Sequence, residues 1–291
     1  MTRRDLASYV ALVVIWGTTW AAIRVGLEGM PPMTSAALRF AVASLALLPF
    51  VWRLRLRLGT SSVERRLWLV NAAFTFLGSY GVVYWAEQHV PSALAAVLFA
   101  TFPLFVAVFA HFGLPSERLG PARLLGVLLG FAGTVVLFSD DLAHGSATLV
   151  PALVFLLSPT CAAIGQVLVK RSGGGVHALS LTLVPMAISA GVFAVLALSF
   201  ERGREVHLNP RSVASFLYLG VLGSAVAFYL YFQLLQRMDA TRLSLLTYLC
   251  PLVAVVVGVV FLKERLTSAM VLGMLVILSG VGLASRSAAK G

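Results

Sequence analysis

Aromatic and hydroxyl side chains recur at helical spacing inside long apolar segments of this 291-residue chain. Trp16, Thr19 and Trp20 follow an i, i+3, i+4 pattern, which places all three on one face of a helix. Indole rings beside a hydroxyl group suit a ligand that is largely apolar and also forms hydrogen bonds. A stripe that only packs against a neighbouring helix is the alternative interpretation. The chemistry indicated is binding rather than bond breaking.

Further candidates for the same binding surface lie in three other apolar segments. Ser158 and Thr160 occupy the place in the second half of the chain that Thr19 has in the first half. If these segments cross a lipid bilayer, polar groups at this depth are costly unless they face protein or water, so they mark candidate sites. The complete predicted binding set is Trp16, Thr19, Trp20, Phe99, Phe102, Ser158, Thr160, Thr247 and Tyr248.

Two prolines, Pro103 and Pro251, lie near the middle of their apolar segments and are predicted to act as hinges. Proline has no N–H group, so it frees the carbonyl four residues earlier, here those of Phe99 and Thr247. Kinks that merely fit the helix packing are the alternative. Two kinks in corresponding positions of the two halves favour hinges beside a binding site.

Two Tyr/Gln pairs are predicted to form gates. Tyr84 and Gln88 are spaced i, i+4, and Tyr229 and Gln233 repeat the pair 145 residues later. Tyrosine near a membrane surface is also ordinary interfacial chemistry, which is the alternative for the tyrosines. One pair toward each side of the bilayer would suit gates that open in turn.

Charged residues are scarce inside the apolar segments. Arg39 lies about 7 Å into its segment, where it either extends to the lipid headgroups or contacts a substrate carboxylate. Glu87 is the acidic residue nearest to entering a segment, and proton exchange would use Glu87 or a histidine. No apolar segment has an acidic residue at its centre, and neither a His-Glu-x-x-His nor a Gly-x-Ser-x-Gly motif occurs. We therefore expect no enzyme, no bound metal and no cofactor.

The overall composition predicts a polytopic, all-α membrane protein. Hydrophobic residues make up 59% of the chain and charged residues 11%, less than half of the roughly 25% in soluble domains. The net charge of +11 does not indicate nucleic-acid binding, because the charges fall in short clusters between apolar segments, as in membrane-protein loops. Ten segments approach the roughly 20 residues that cross a bilayer. They are approximately 6–27, 34–52, 67–88, 92–114, 121–139, 147–170, 177–199, 211–234, 241–262 and 268–285.

The distribution of Lys and Arg predicts the orientation. With ten spans, fifteen of these residues fall on the side of the N-terminus and five on the other side, and two lie within the spans. Cytoplasmic loops carry the excess of positive charge. Both termini are therefore predicted to be cytoplasmic.

The two halves of the chain repeat each other. Gly78-Ser79 recurs as Gly223-Ser224, and Glu117-Arg118-Leu119 recurs as Glu264-Arg265-Leu266. We therefore predict one five-helix repeat over residues 1–141 and a second over residues 142–291. An odd number of spans per repeat inverts the second repeat in the membrane, an arrangement typical of transporters.

At this level of detail the sequence resembles a known family. Ile15-Trp16-Gly17-Thr18-Thr19-Trp20, Leu38-Arg39-Phe40, the regions of the two prolines and the two Glu-Arg-Leu turns are similar to the EamA-type branch of the drug/metabolite transporter superfamily. Within that branch, the chain is most similar to YddG-type amino-acid exporters of bacterial inner membranes.

The resemblance implies a basket-like bundle of ten helices around a central cavity, in a multi-pass protein of the bacterial inner membrane. It implies export of small metabolites, with neutral or aromatic amino acids as the first expectation. Because no acidic residue lies at mid-depth, we expect uniport by alternating access; proton-coupled efflux of drugs or other amphiphiles is the alternative. The expected partners are a small-molecule substrate and the lipid bilayer, with the chain a monomer or a weak homodimer.

Overall fold

The computed structural model describes residues 2–90, 92–139, 143, 149–261 and 267–287. All regular secondary structure in these residues is helical. Nine helices are long and apolar enough to cross a membrane, and Pro121–Leu137, at 17 residues, is a shorter apolar helix. In chain order the helices are α1 Arg3–Leu27, α2 Pro32–Arg53, α3 Ser62–Ala86, α4 Leu94–Gly113, α5 Pro121–Leu137, α6 Leu149–Ser172, α7 Ala178–Phe200, α8 Pro210–Arg237, α9 Ala240–Val257 and α10 Ser268–Ser285. The predicted boundary at residues 141 and 142 and the second Glu-Arg-Leu turn lie outside the described residues.

Local sequence signals account for several helix starts. Thr2 and Asp5 form a capping box at the start of α1, because each side chain accepts the backbone N–H of the other. Ser61 accepts the N–H of Glu64 at the start of α3, and Asn209 caps α8 in the same way. Polar residues in short loops therefore define where apolar helices begin.

Two helices contain π-helical turns at corresponding positions of the repeat. The segment Asn71–Ser79 within α3 and the segment Val221–Val226 within α8 are both π-helical. Each contains the repeated Gly-Ser motif, Gly78-Ser79 or Gly223-Ser224. Turns of π-helix are rare in proteins, and those that occur are often found at functional sites. Their presence in both repeats therefore marks these two positions as candidate parts of a site.

The fourth helix is interrupted at one of the predicted hinges. Its regular α-helical parts are Ser92–Phe99 and Phe102–Gly113, so Pro103 lies in the first turn of the second part, where proline is tolerated. In α9 the break comes earlier, at Leu245, and Pro251 lies inside the helical part Leu246–Phe261. The two prolines therefore have different local settings.

The helix contacts repeat when the first five helices are exchanged with the last five. Helix α1 packs against α8 and α9, and α6 packs against α3 and α4. Helix α2 packs against α7, and α5 packs against α10. The chain therefore has two structural repeats that pack against each other.

Glycines allow α5 and α10 to approach closely. A Cβ atom on Gly126 would lie 2.5 Å from the backbone nitrogen of Ala284, and one on Gly133 would lie 2.7 Å from that of Ile277. Higher residue numbers on α5 therefore face lower numbers on α10, so the two helices run in opposite directions. The absence of side chains at these glycines allows the two helix backbones to pack closely.

Candidate functional site

A cavity of about 300 Å³ lies at the centre of the described bundle. This volume is at the lower end of the range for small-molecule sites, roughly 300–1,000 Å³. Helices α1, α2, α3, α4, α6, α8 and α9 contribute to its wall, together with Phe138 beyond the end of α5. Both repeats therefore supply side chains to one shared cavity.

Most of the predicted binding residues line this cavity. They are Trp16, Thr19, Trp20, Phe99, Phe102 and Thr247, and the predicted hinge Pro251 joins them. The indole N–H of Trp16 donates to the carbonyl oxygen of Gly223 at 3.3 Å. Trp20 packs edge-on against Phe99, with 5.7 Å between ring centroids. Both indoles are thus held in position while part of each faces the cavity.

Three predicted binding residues do not line the cavity. Tyr248 is fully buried, and its hydroxyl donates to the carbonyl oxygen of Val127 on α5 at 3.0 Å. The hydroxyl of Thr160 donates back to the carbonyl oxygen of Leu156 in its own helix. The ring of Tyr248 fits against a glycine of α5, which has no side chain in the way. Tyr248 therefore joins α9 to α5.

Ser158 lies one layer behind the cavity wall. Its hydroxyl is 3.0 Å from that of Ser79, and Ser79 itself lines the cavity. Ser158 is fully buried, and this hydrogen bond connects it to the cavity wall.

The two predicted gate pairs differ in structure. Gln233 donates to the hydroxyl of Tyr229 at 2.7 Å, so this pair is joined. Gln88 instead donates to the carbonyl oxygen of Trp85, and Tyr84 is fully buried near the guanidinium of Arg39. None of the four residues lines the cavity. Their action as gates stays a prediction, as does the hinge role of the prolines.

Sequence reasoning missed a second set of residues in the wall. These residues are Thr75, Ser79, Tyr80, Gln166, Phe228, Tyr231 and Phe232. Thr75 and Ser79 lie in the π-helical turn of α3, which changes the helix face that meets the cavity. The repeated Gly-Ser motif was the available signal, because it marks the two π-helical turns.

Arg39 is buried in the cavity wall. Its side chain is 1% exposed and turns into the bundle, so the alternative in which it extends to the lipid headgroups is wrong. Its Nε donates to the hydroxyl of Ser224 at 2.7 Å, and its Nη2 donates to the carbonyl oxygen of Gly223 at 3.3 Å. The ring of Tyr80 lies 4.7 Å from the guanidinium carbon, a distance typical of a cation–π contact.

The described cavity wall contains no acidic side chain to balance this charge. Glu87 is buried near the end of α3 but does not line the cavity. In the described chain no group of three or more His, Cys, Asp and Glu residues could hold a metal ion. The site therefore combines one fixed cation with an aromatic wall, an arrangement suited to binding.

Comparison with known proteins decides the family. The model of the EamA-like transporter family matches residues 6–139 and again residues 149–286. The chain belongs to the EamA-like transporter family. It is a membrane transporter of the drug/metabolite type, and each half of the chain matches the family model once.

Named relatives agree with this assignment. The "Uncharacterized inner membrane transporter YedA" of Escherichia coli (strain K12) is 31% identical over 85% of this chain and 79% of its own length. The "Uncharacterized transporter YoaV" of Bacillus subtilis (strain 168) is 24% identical over 94% and 93%. The "Probable amino-acid metabolite efflux pump" of Escherichia coli (strain K12) is 27% identical over 100% and 99%. With nine candidate spans in the part of the chain that the structure describes, and with relatives named as inner membrane transporters, this EamA-like chain is a multi-pass protein of the bacterial inner membrane.

A solved structure has the same fold. It superimposes with a TM-score of 0.84 over 100% of this chain and 99% of its own, at 23% sequence identity. At this identity the likeness concerns the fold alone.

The EamA-like chain closes the bundle at the face that carries its N-terminus, here called the N-terminal face. Glu117, between α4 and α5, accepts the backbone N–H groups of Ala240 and Thr241 at 2.9 and 3.2 Å. Asp239 precedes α9 but makes no capping hydrogen bond; it forms an ion pair with Arg123 at 3.1 Å. Glu117 therefore caps a helix of the other repeat. Burial raises the pKa of its carboxyl above the ordinary value.

A similar carboxylate cap is present at the opposite face. Glu201, at the end of α7, accepts the backbone N–H groups of Met33 and Thr34 at 2.8 and 2.9 Å. The cap residue of α2 is Pro31, which has no side chain able to perform this role. Each face of the bundle therefore holds a carboxylate that joins one repeat to a helix start in the other.

Proposed function

We propose that this EamA-like transporter exports small neutral metabolites, with neutral or aromatic amino acids as the first candidate class. The observation that supports this most is a small central cavity with aromatic walls, whose described lining includes one cationic side chain, the buried Arg39. Its volume favours a metabolite over a large drug. The relative named as a probable amino-acid metabolite efflux pump supports the same class.

We further propose ten spans, in two inverted repeats over residues 1–141 and 142–291, with both termini cytoplasmic. The antiparallel contact of α5 with α10 supports inversion, since the two copies of a five-helix repeat then cross in opposite directions. Helices α2 and α7 give a second case: Thr34 meets Glu201, whereas Phe40 stacks on Phe193. The excess of Lys and Arg at the N-terminal face supports its cytoplasmic location.

Alternating access is the proposed mechanism. The cavity reaches Phe138 beyond the last turn of α5 and Ala254 on α9 toward the face opposite the N-terminal face, and Gln166 and Phe232 toward the N-terminal face. The N-terminal face is held by Glu117 and by Lys170, whose ammonium donates to the carbonyl oxygens of Leu235 and Met238. Because both Glu117 and Lys170 hold the N-terminal face, whereas Glu201 alone caps a helix start at the opposite face, we infer that the cavity is directed outward. Release of those contacts would open the cytoplasmic side.

Transport by uniport is the proposed energetics. Proton coupling normally uses an ionisable group that reaches the substrate pathway, and acidic residues are the commonest choice. Among the described residues, neither an acidic side chain nor a histidine lines the cavity.

The close-packing glycines of α5 are occupied by α10 inside the chain, which supports a monomer.

Proteoliposome counterflow with labelled neutral and aromatic amino acids, and with cationic dyes for comparison, tests this proposal. Trp20→Ala should weaken transport because Trp20 lines the cavity. Trp52→Ala is the matched control, since Trp52 is 73% exposed on α2. Equal transport by both variants would contradict the assignment of the cavity.

An imposed pH gradient distinguishes the energetics in the same vesicles. A uniporter equilibrates its substrate whatever the gradient. Accumulation driven by pH and abolished by Glu87→Gln would reject uniport in favour of proton-coupled efflux. Transport of the dyes but of no amino acid would reject the substrate class.

A further inference from the structure

We propose that Arg39 is the anchor for a substrate carboxylate, so that a free carboxylate, rather than an ammonium group, is the charged feature this cavity requires. The inference rests on the proposed function and narrows its substrate class. It also separates that class from cationic amphiphiles, which a buried guanidinium would repel.

The donor inventory of Arg39 is incomplete within the protein. A guanidinium side chain carries five N–H donors and no acceptor. Nε donates to Ser224, and Nη2 donates to Gly223 and, at 3.4 Å, to the hydroxyl of Tyr80. Nη1 is buried and has no hydrogen-bond partner among the described residues. The buried hydroxyl of Tyr84 lies near the guanidinium and can accept one of the two Nη1 protons, so at least one donor of a permanently charged group is left for a ligand.

An arrangement of this kind is costly without an anion. Removing a charge from water is unfavourable unless it is paired and its hydrogen bonds are satisfied. Ion pairs near helix ends or in loops join Arg123 to Asp239, Arg237 to Asp5, and His207 to Glu205. Arg39 takes part in none of them. The missing anion is best supplied by the substrate.

The surroundings hold the guanidinium in place for this task. Ser224 and Gly223 belong to the π-helical turn of α8, and Tyr80 follows the π-helical turn of α3. Residues of both repeats therefore hold the guanidinium of Arg39 in place. A Cβ atom on Gly223 would lie 3.6 Å from Nη2 and 3.2 Å from a methyl carbon of Thr19. A fixed guanidinium matches the geometry of a carboxylate, which accepts two N–H groups at once.

The remainder of the wall suits an apolar body better than a second charge. Trp16 packs against both Phe228 and Tyr231, with ring centroids 5.3 and 5.2 Å from its own, and all three line the cavity. No acidic side chain among the described wall residues can pair with the ammonium of an amino acid. A carboxylate should therefore contribute more to affinity than an ammonium.

A ligand series on the unmodified transporter tests the inference without any substitution. Phenylalanine, N-acetylphenylalanine, phenylalanine methyl ester and phenethylamine share the aromatic ring and differ in the two charged groups. Competition against counterflow of labelled phenylalanine should give similar affinities for phenylalanine and N-acetylphenylalanine, the two ligands with a free carboxylate. The ester and the amine should bind at least about tenfold more weakly, the loss expected for one hydrogen-bonded charge contact.

Substitution of Arg39 then assigns the discrimination to this residue. Arg39→Gln should reduce the preference for phenylalanine over its methyl ester to near unity, whereas Arg39→Lys should keep part of it. Phe112→Ala is the matched control, because Phe112 is 82% exposed and outside the cavity, and it should keep the full preference. If the Arg39 variants fail to fold, the ligand series on the unmodified protein still decides.

The outcomes separate this inference from the proposed function. Transport of phenylalanine together with equal competition by its methyl ester would overturn the role of Arg39 and leave amino-acid export intact. Transport of N-acetylphenylalanine without transport of phenylalanine would keep the role of Arg39 and reject free amino acids as substrates. Absence of competition by every carboxylate would overturn both.

Discussion

Replacement of Glu117 by alanine should open the N-terminal face. Glu117 is 2% exposed and accepts the first two N–H groups of α9, which have no cap from Asp239. Alanine removes both acceptors. Loss of a helix cap costs roughly 0.5–2 kcal/mol, and leaving a buried donor unsatisfied costs roughly 1–3 kcal/mol. A net cost of about 1.5 kcal/mol to the closed arrangement corresponds to about a tenfold increase of the open one.

The chain supplies its own reporter for this opening. Cys250 lines the cavity and is 6% exposed, whereas Cys161 does not line it and can be replaced by serine. In inside-out vesicles, a membrane-impermeant maleimide should label Cys250 about tenfold faster in Glu117→Ala than in the parent. The increase reports access from the proposed cytoplasmic side.

Glu201→Ala is the matched control for this experiment. It removes the same kind of carboxylate cap, on Met33 and Thr34, at the opposite face. Labelling of Cys250 from the cytoplasmic side should not rise in this variant. Equal labelling rates in the parent and in a folded Glu117→Ala variant, or an equal increase in Glu201→Ala, would refute the argument that Glu117 holds the N-terminal face closed.

Three further outcomes are expected. Labelling of Cys250 from the cytoplasmic side should become faster as the pH rises from the ordinary Glu value toward the raised pKa of Glu117. The closed state binds the proton of Glu117 more tightly than the open state does, so loss of this proton favours opening; Glu117→Ala should lack this dependence. Gly126→Ala should sharply lower the yield and thermal stability of the purified protein, since its Cβ would lie 2.7 Å from the carbonyl oxygen of Gly280 and force α5 from α10; Gly282→Ala, with no atom within 4 Å, should be neutral in the same assays. Tyr248→Phe should lower stability by about 0.5–1.5 kcal/mol through loss of its hydrogen bond to the carbonyl oxygen of Val127, and it should leave substrate affinity unchanged, as competition assays would show.

Hydrophobic patterning determined most of what could be predicted about this fold. A bilayer span needs a long run of apolar residues, so the segments were visible in the sequence, and nine of the described helices meet the length and composition of a span. The repeat was visible because duplicated contacts need duplicated residues. Gly126 and Gly133 recur as Gly273 and Gly280, and these four glycines meet at the contact between α5 and α10.

Helical spacing also identified part of the site. Trp16, Thr19 and Trp20 share a face by the geometry of an ideal helix, and all three line the cavity. Tyr248 was assigned to the cavity beside Thr247, but it turns toward α5, because only the packing of α9 decides which of two adjacent side chains faces inward.

Tertiary structure alone decided the remainder. Spacing placed Arg39 close to a membrane surface, and two outcomes were open because an arginine stem reaches either water or the interior. The interior outcome depends on Ser224, Gly223 and Tyr80, which come from other helices and lie up to 185 residues away. The same holds for Glu117, a loop residue by its sequence and a cap for α9 by its position. A sequence pattern encodes which face of a helix is apolar, whereas the partner of a buried charge is fixed only when distant helices pack.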